Sequence, residues 1–134
     1  MRALLFVAVL AFAVPAAAQG ATDTQRSLVT RFAELRALGV RYGDAHPDVV
    51  AKRAAVESLR RALREAITRG EPIDVPAARR DVEAMIADVD ARIAELNITC
   101  GAGHFDVRTA RARREALVEA LSALRRGRPF VPDV

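Results

Sequence analysis

The chain has 134 residues, a formal net charge of +4 and an aromatic content of only 4%. It is long enough for one small domain. Alanine occupies 28 positions, so a hydrophobic content of 51% leaves few large apolar side chains. The composition can hold helices together, but it disfavours an enzyme that encloses a buried active site.

The N-terminus has the pattern of a secretory signal peptide. Arg2 is followed by an apolar run over residues 3–14, and Pro15 precedes small residues that end at Ala18. The apolar run, of about 12 residues, is shorter than the roughly 20 that a transmembrane helix needs. We expect cleavage after Ala18 and a periplasmic or secreted product with no transmembrane span.

The basic charge is weak evidence for a nucleic-acid partner. Loss of residues 1–18 lowers the net charge to +3, and 20 of the 21 Lys and Arg residues are Arg, a bias that GC-rich coding would produce. An exported protein also meets little nucleic acid, so we expect none as a partner. Acidic envelope polymers or a membrane surface are the expected partners if the charge is functional.

The chain matches itself at an offset of 58 residues. Residues 38–63 align without a gap on residues 96–121, with 11 identities in 26 positions, and the two histidines of the chain, His46 and His104, coincide. This pattern predicts an internal duplication. The predicted units are a signal peptide at 1–18, a first helical hairpin at 19–76 and a second helical hairpin at 77–134.

Apolar residues recur at spacings of three and four, which is the period of a helix and not of a strand. Leu28, Phe32, Leu35 and Leu38 show this spacing before the first histidine. The predicted fold class is all-α, with four helices in a four-helix bundle or in two tandem antiparallel hairpins. An elongated coiled-coil hairpin that folds on a partner is the competing shape.

Local signals predict the helix ends. Asp23 and Asp81 suit the positive end of the first helix in each copy. Gly39 and Asn97 hold equivalent positions and tolerate a left-handed C-terminal cap. The second helix of each copy is expected to stop at a Gly-x-Pro sequence, the first of which begins at Gly70.

The segment 42–49, YGDAHPDV, contains five residues in a recognisable pattern. Tyr42, His46, Pro47, Asp48 and Val49 resemble, position by position, the Tyr-x-x-x-His-Pro-Asp/Glu-Val element of polysaccharide co-polymerases, which are the chain-length determinant and exopolysaccharide-export proteins of bacterial envelopes. The resemblance implies a helix start in a coiled coil and an envelope setting. It does not imply chain-length control, because no counterpart of the membrane anchors or kinase module of that family is recognised.

The same residues fit a structural role at the start of a helix. Pro47 has its φ preset for the first helical position, and Asp48 suits the positive end of the helix. His46 or Asp44 can cap free backbone N–H groups, and Val49 would begin the buried stripe. A helix start explains every residue type in the motif.

A metal site is the functional alternative. If both connections lie at one end of the fold, His46, His104, Asp48, Asp106 and Cys100 could together hold zinc or copper. No ligands show the close His-x-x-x-His or Cys-x-x-Cys spacing of a stronger signal. Cys100 is otherwise a small packing residue or the source of an intermolecular disulfide. No other cofactor is expected.

The sequence predicts a protein that acts by binding. It contains no phosphate-binding, hydrolase or metalloprotease motif, and Asp88 and Asp90 do not face each other on a helix, so we expect no enzyme. The predicted function is that of a small exported envelope accessory or scaffold, with a protein partner or self-association. The alternative is a periplasmic metal-binding or stress-chaperone protein that uses the His-containing connections.

Overall fold

The computed structural model describes residues 16–134, with side chains from Gly20 onwards. The predicted all-α fold of four helices is confirmed. Most of the predicted leader, residues 1–15, lies outside the described residues, and none of the described helices is apolar over a length that could cross a membrane. The helices are α1 (Ala16–Arg41), α2 (Pro47–Thr68), α3 (Val75–Thr99) and α4 (Phe105–Arg125).

The two hairpins meet through one helix of each. α1 packs against α2 and α4, and α4 packs against α1 and α3, while α1 crosses α3 more briefly. Over residues 16–134, α2 packs against neither α3 nor α4. The helices therefore form a row in the order α2, α1, α4, α3, and not a ring in which every helix has two neighbours.

The burial pattern of each helix matches its place in the row. The outer helix α2 buries Val49, Val56 and Leu63, which are spaced by seven and form one narrow stripe. A single stripe can cover one neighbour only. The inner helix α1 buries adjacent residues such as Leu28 and Val29, which point to different sides. The core consequently runs along α1 and α4.

The segment after α4, residues 126–134, returns across the fold and is called the tail below. Phe130 packs edge-to-face on Phe32 of α1, with ring centroids 5.3 Å apart, and Pro132 is fully buried. Arg60 of α2 donates a hydrogen bond to the carbonyl oxygen of Pro132 at 3.3 Å. The tail thus covers the side of α1 that lies between α2 and α4.

Two predicted helix ends are wrong. Gly39 and Asn97 lie inside α1 and α3, which continue to Arg41 and Thr99. None of the positive φ angles in the described chain belongs to either residue. The reason is that the backbone N–H groups one turn further on still find α-helical acceptors, from Tyr42 to Leu38 and from Cys100 to Leu96, both at 2.8 Å.

The predicted places of Asp23 and Asp81 at helix starts are also wrong. The N-cap of α3 is Asp74, whose side chain accepts a hydrogen bond from the Ala77 N–H at 2.9 Å. Asp23 and Asp81 instead bind the guanidinium of Arg26, at 2.9 and 2.8 Å. The hydrogen bond with Asp81 is the main cause of a raised Arg26 pKa, and it ties α1 to α3.

The Gly-x-Pro helix ends are confirmed. Gly70 and Gly127 follow α2 and α4 with φ of 72° and 71°. The next N–H group after each glycine reaches back five residues, from Glu71 to Ala66 at 3.0 Å and from Arg128 to Ala123 at 3.3 Å. These are the hydrogen bonds of a Schellman motif, which uses glycine because its φ is positive.

Candidate functional site

Both His-containing connections lie at the same end of the fold. α1 and α3 run in the same direction, and each leads into a connection that is followed by an antiparallel helix. The two connections approach each other, since the guanidinium of Arg41, at the end of α1, lies 5.5 Å from the ring centroid of Phe105, at the start of α4. This end is the first candidate for a functional surface.

The two histidines make the same backbone contacts. His46 and His104 are the N-caps of α2 and α4, with φ of −64° and −63°. The Nδ1 atom of each accepts a hydrogen bond, at 3.2 Å, from the N–H two residues later, that of Asp48 or Asp106. Each Nδ1 is therefore an acceptor, which leaves Nε2 to carry the proton of the neutral ring.

Aromatic rings and guanidinium groups form a continuous row across this end. The Tyr42 ring stacks on His46, with centroids 4.1 Å apart and an interplanar angle of 15°. The guanidinium of Arg41 lies 5.5 Å from the Tyr42 ring centroid as well as 5.5 Å from that of Phe105. The guanidinium of Arg108 also lies over Phe105, at 5.7 Å. These five residues, Arg41, Tyr42, His46, Phe105 and Arg108, are called the aromatic–cation row below.

The two arginines of the row are exposed and are not neutralised. Arg41 and Arg108 both face solvent, and neither forms an ion pair with any of the described residues. The neighbouring Arg53 differs, because its guanidinium binds Asp44 at 3.1 Å. Stacking on a ring holds a guanidinium in one plane and leaves its N–H groups free to donate. The row can therefore bind carboxylate or phosphate groups.

The predicted metal ligands do not gather into one site. His46 lies 3.9 Å from Asp48, and His104 lies 3.7 Å from Asp106, so each pair stays within its own connection. In the described part of the chain, no three His, Cys, Asp or Glu side chains are placed to hold a metal ion. The zinc or copper site, with Cys100 as a further ligand, stays a prediction and would require the connections to rearrange.

Cys100 is exposed, and it is the C-cap residue of α3. Its Sγ lies 3.5 Å from the hydroxyl oxygen of Thr99, the residue before it. Because the thiol is exposed, the interpretation of Cys100 as a packing residue is wrong. The intermolecular disulfide stays a prediction.

The paired carboxylates on α3 have separate surroundings. Asp90 binds Arg114 of α4. Asp88 lines a surface cavity of about 480 Å³ between α3 and α4, together with Arg92, Arg113 and apolar side chains. The two carboxylates therefore have no ion-pair partner in common within residues 20–134.

Two features of the structure were not predicted from the sequence. The first is the aromatic–cation row, for which the available signal was the replacement of Pro47 by Phe105 at the matched position of the second copy. The second is Gln25, the one fully buried polar side chain among the described residues. Its signal was a polar residue at helical spacing from Leu28 and Phe32.

Comparisons with known proteins found no relative of this chain. The chain matches no family model, and it has no significant match among curated proteins or solved structures.

Proposed function

We propose that the protein is a small exported helical protein that acts by contact, as an accessory or scaffold of the cell envelope. The observation that carries this proposal is the aromatic–cation row. Its residues come from the end of α1, the first connection and the start of α4. Its Arg41 and Arg108 are exposed, and neither forms an ion pair within residues 20–134, so both can bind an acidic partner. Arginine and aromatic residues are the types that contribute most at protein interfaces.

The row suits binding better than catalysis. The Nδ1 atom of His46 accepts the Asp48 N–H at the start of α2, so this atom is not available to take a proton from a substrate. The fixed stacking of Tyr42 and Arg41 lowers the entropy that these side chains lose when a partner binds. An acidic surface of a partner protein is the expected ligand, and no enzymatic activity is proposed. Acidic polymers and anionic lipid headgroups are separate outcomes of the test below.

Export is supported by the leader pattern of residues 1–18. The envelope setting is also what the resemblance of Tyr42 and the following His-Pro-Asp-Val to the co-polymerase element implies. Cell fractionation and N-terminal sequencing of the purified product test this part. A periplasmic or secreted product that begins at Gln19 is expected, and a cytoplasmic product that keeps Met1 would contradict it.

Duplication of an ancestral hairpin is also proposed, and matched hydrogen bonds support it. The N–H groups of His46 and His104 donate to Gly43 and Gly101, at 2.9 and 3.1 Å. The cap bonds to Nδ1 repeat at the same offset of 58 residues. The second copy has thus kept the geometry of its connection although Cys100 has replaced tyrosine.

Site-specific crosslinking in intact cells tests the contact function. A photo-reactive amino acid is placed at Ala102, an exposed residue of the second connection, and for comparison at Ala84, an exposed residue of α3. We expect a discrete protein adduct from position 102 and none from position 84. The double variant Arg41→Ala, Arg108→Ala should lose most of that adduct.

Several results would overturn the proposed partner. Absence of any adduct, or the same adducts from both positions, would exclude a protein contact at this end. Binding of acidic polysaccharide or anionic vesicles by the pure protein, without a protein adduct, would assign the row to a polymer or to a membrane. Stoichiometric zinc binding that is lost in His46→Ala, His104→Ala would favour the metal-binding alternative, and suppression of client aggregation would favour a chaperone.

A further inference from the structure

The side-chain amide of Gln25 forms hydrogen bonds with both backbone groups of one tail residue, Phe130, as the backbone of a neighbouring strand would. Its Nε2 donates to the carbonyl oxygen of Phe130 at 3.0 Å, and its Oε1 accepts from the Phe130 N–H at 2.9 Å. Gln25 is fully buried, so its amide would lose both partners if no extended segment lay beside α1. A buried amide without partners is costly. The surface of α1 is therefore built to hold an extended backbone.

The tail side chains occupy the remainder of a groove between α2 and α4. The Phe130 ring packs on Phe32, Pro132 is fully buried, and Arg60 binds the Pro132 carbonyl. The contacts thus select an aromatic residue, a proline two positions later and an extended backbone. Main-chain hydrogen bonds combined with pockets for side chains are the components by which proteins recognise extended peptides.

The groove is not filled completely by the tail. A cavity of about 370 Å³ lies beside Val134, between α1 and α2, and Gly39, Val40 and Val49 are among its lining residues. A segment with larger apolar side chains at this point would bury more surface than the tail does. A binding partner could therefore gain contacts that the tail leaves unmade.

We propose that this groove is a peptide-binding site for an extended aromatic-x-proline segment of a partner protein, and that the tail is its intramolecular occupant. Binding would displace the tail about the turn at Gly127. The tail of a second copy is a poorer candidate, because it would make only the contacts that each tail already makes in its own chain. This site goes beyond the aromatic–cation row and shares none of its residues, although its cavity reaches Asp44 in the connection that carries Tyr42 and His46.

Peptide binding by the full-length chain tests the proposal. The probe is a fluorescent peptide with the sequence of residues 127–134, and its anisotropy reports binding. In the wild type the tail competes at the high effective concentration of a linked ligand. We expect Phe130→Ala, Pro132→Ala to bind the probe at least tenfold more tightly than the wild type. Addition of Gln25→Leu to that variant should weaken binding at least tenfold.

A reversible disulfide between α1 and the tail tests the same proposal without changing Phe130 or Pro132. Val40 and Val134 line one cavity, so Val40→Cys, Val134→Cys in a Cys100→Ser background puts one thiol of α1 and one of the tail at that cavity, and mass spectrometry selects the chains in which oxidation has joined them. The oxidised monomer should not bind the probe, and reduction should restore the weak binding of the wild type. Circular dichroism of each variant establishes that it is folded.

The contrary results are clear. A folded Phe130→Ala, Pro132→Ala variant that does not bind the probe overturns the proposal, as does equal binding by the oxidised and reduced forms. Disulfides that link two chains in place of one would assign the groove to the tail of a second copy, and would also overturn it. None of these results depends on an adduct at Ala102.

Discussion

The carboxylate of Asp90 on α3 binds the guanidinium of Arg114 on α4, at positions whose counterparts 58 residues earlier are Phe32 and Val56. Those two counterparts are fully buried. The hydrogen bond that Arg114 donates to Asp90 raises the pKa of Arg114, and both side chains remain on the surface. One hairpin therefore has a polar pair where the other has core residues, and of the two helices that carry Asp90 and Phe32, α3 is the outer one and α1 the inner one.

The histidine caps give the first prediction. His46→Ala and His104→Ala should each lower the free energy of unfolding by about 1 kcal/mol, the usual cost of losing an N-cap acceptor. His46→Ala should cost up to about 1 kcal/mol more, because it also removes the stacked contact with Tyr42. Urea unfolding followed by circular dichroism measures both values.

The control for the caps is His104→Asn, which keeps a side-chain acceptor at the N-cap. It should retain most of the stability that His104→Ala loses. An equal loss in both variants would show that the imidazole contributes by some means other than the hydrogen bond to the Asp106 N–H.

The second prediction is that two glycine-to-alanine substitutions change the stability of the protein in opposite directions. Gly70→Ala should destabilise the protein by about 1 kcal/mol or more, because alanine is unfavourable at positive φ. Gly39→Ala should stabilise it by about 0.5–1 kcal/mol, because Gly39 lies inside α1. A Cβ at position 39 would have no atom within 4 Å to meet. Thermal unfolding of the two variants with the wild type checks both signs.

Much of this fold could be predicted from sequence, because its signals are local. The spacing of Leu28, Phe32 and Leu35 defines a helix without knowledge of its neighbours, and His46 followed by proline defines a helix start. Gly39 misled the analysis because glycine is tolerated at a left-handed cap, but one more turn of hydrogen bonds was available. The competing backbone contacts, and not the residue type, decided where the helix ends.

The order of the helices and the candidate sites could not be predicted in the same way. They depend on residues distant in sequence, such as Arg41 with Phe105 and Gln25 with Phe130. The polar residue Gln25 stands out within an apolar stripe of the sequence, but the sequence does not indicate which group it binds. Its amide is satisfied by the backbone of the tail, and a backbone leaves no pattern of residue types in the sequence.

Acid should weaken one charged cluster between α1 and α2. Glu34 accepts hydrogen bonds from Lys52 at 2.7 Å and from Arg31 at 3.0 Å. Burial raises the pKa of Glu34, but the hydrogen bonds from Lys52 and Arg31, together with the positive charges of these two residues, outweigh burial and hold the pKa below its ordinary value of 4.5. The folded state therefore favours the carboxylate, and the resulting stability is present above this ordinary pKa and is lost as the pH falls below it.

The measurement is the free energy of unfolding between pH 6 and pH 3. The wild type should lose more stability over this range than Glu34→Gln, by up to about 1 kcal/mol for a partly exposed ion pair. Glu95→Gln, which removes an exposed carboxylate on α3, is the matched control. A wild type and a Glu34→Gln variant with identical pH profiles would contradict the prediction.

Cys100 gives a prediction about covalent dimers. Its thiol is exposed, so oxidation by glutathione disulfide should link two chains through Cys100. A dimer band is expected on non-reducing gels, and it should disappear with reductant and in Cys100→Ser. A wild type that remains monomeric after oxidation would exclude the intermolecular disulfide.

The hydrogen bonds between Gln25 and Phe130 join residues that are 105 positions apart. During synthesis the face of α1 that holds Phe32 must wait for residues 126–134 before it is covered. Contacts over such a sequence distance form late and slow folding. A chain that ended after α4 would therefore leave Phe32 without its edge-to-face partner and the Gln25 amide without its two hydrogen bonds.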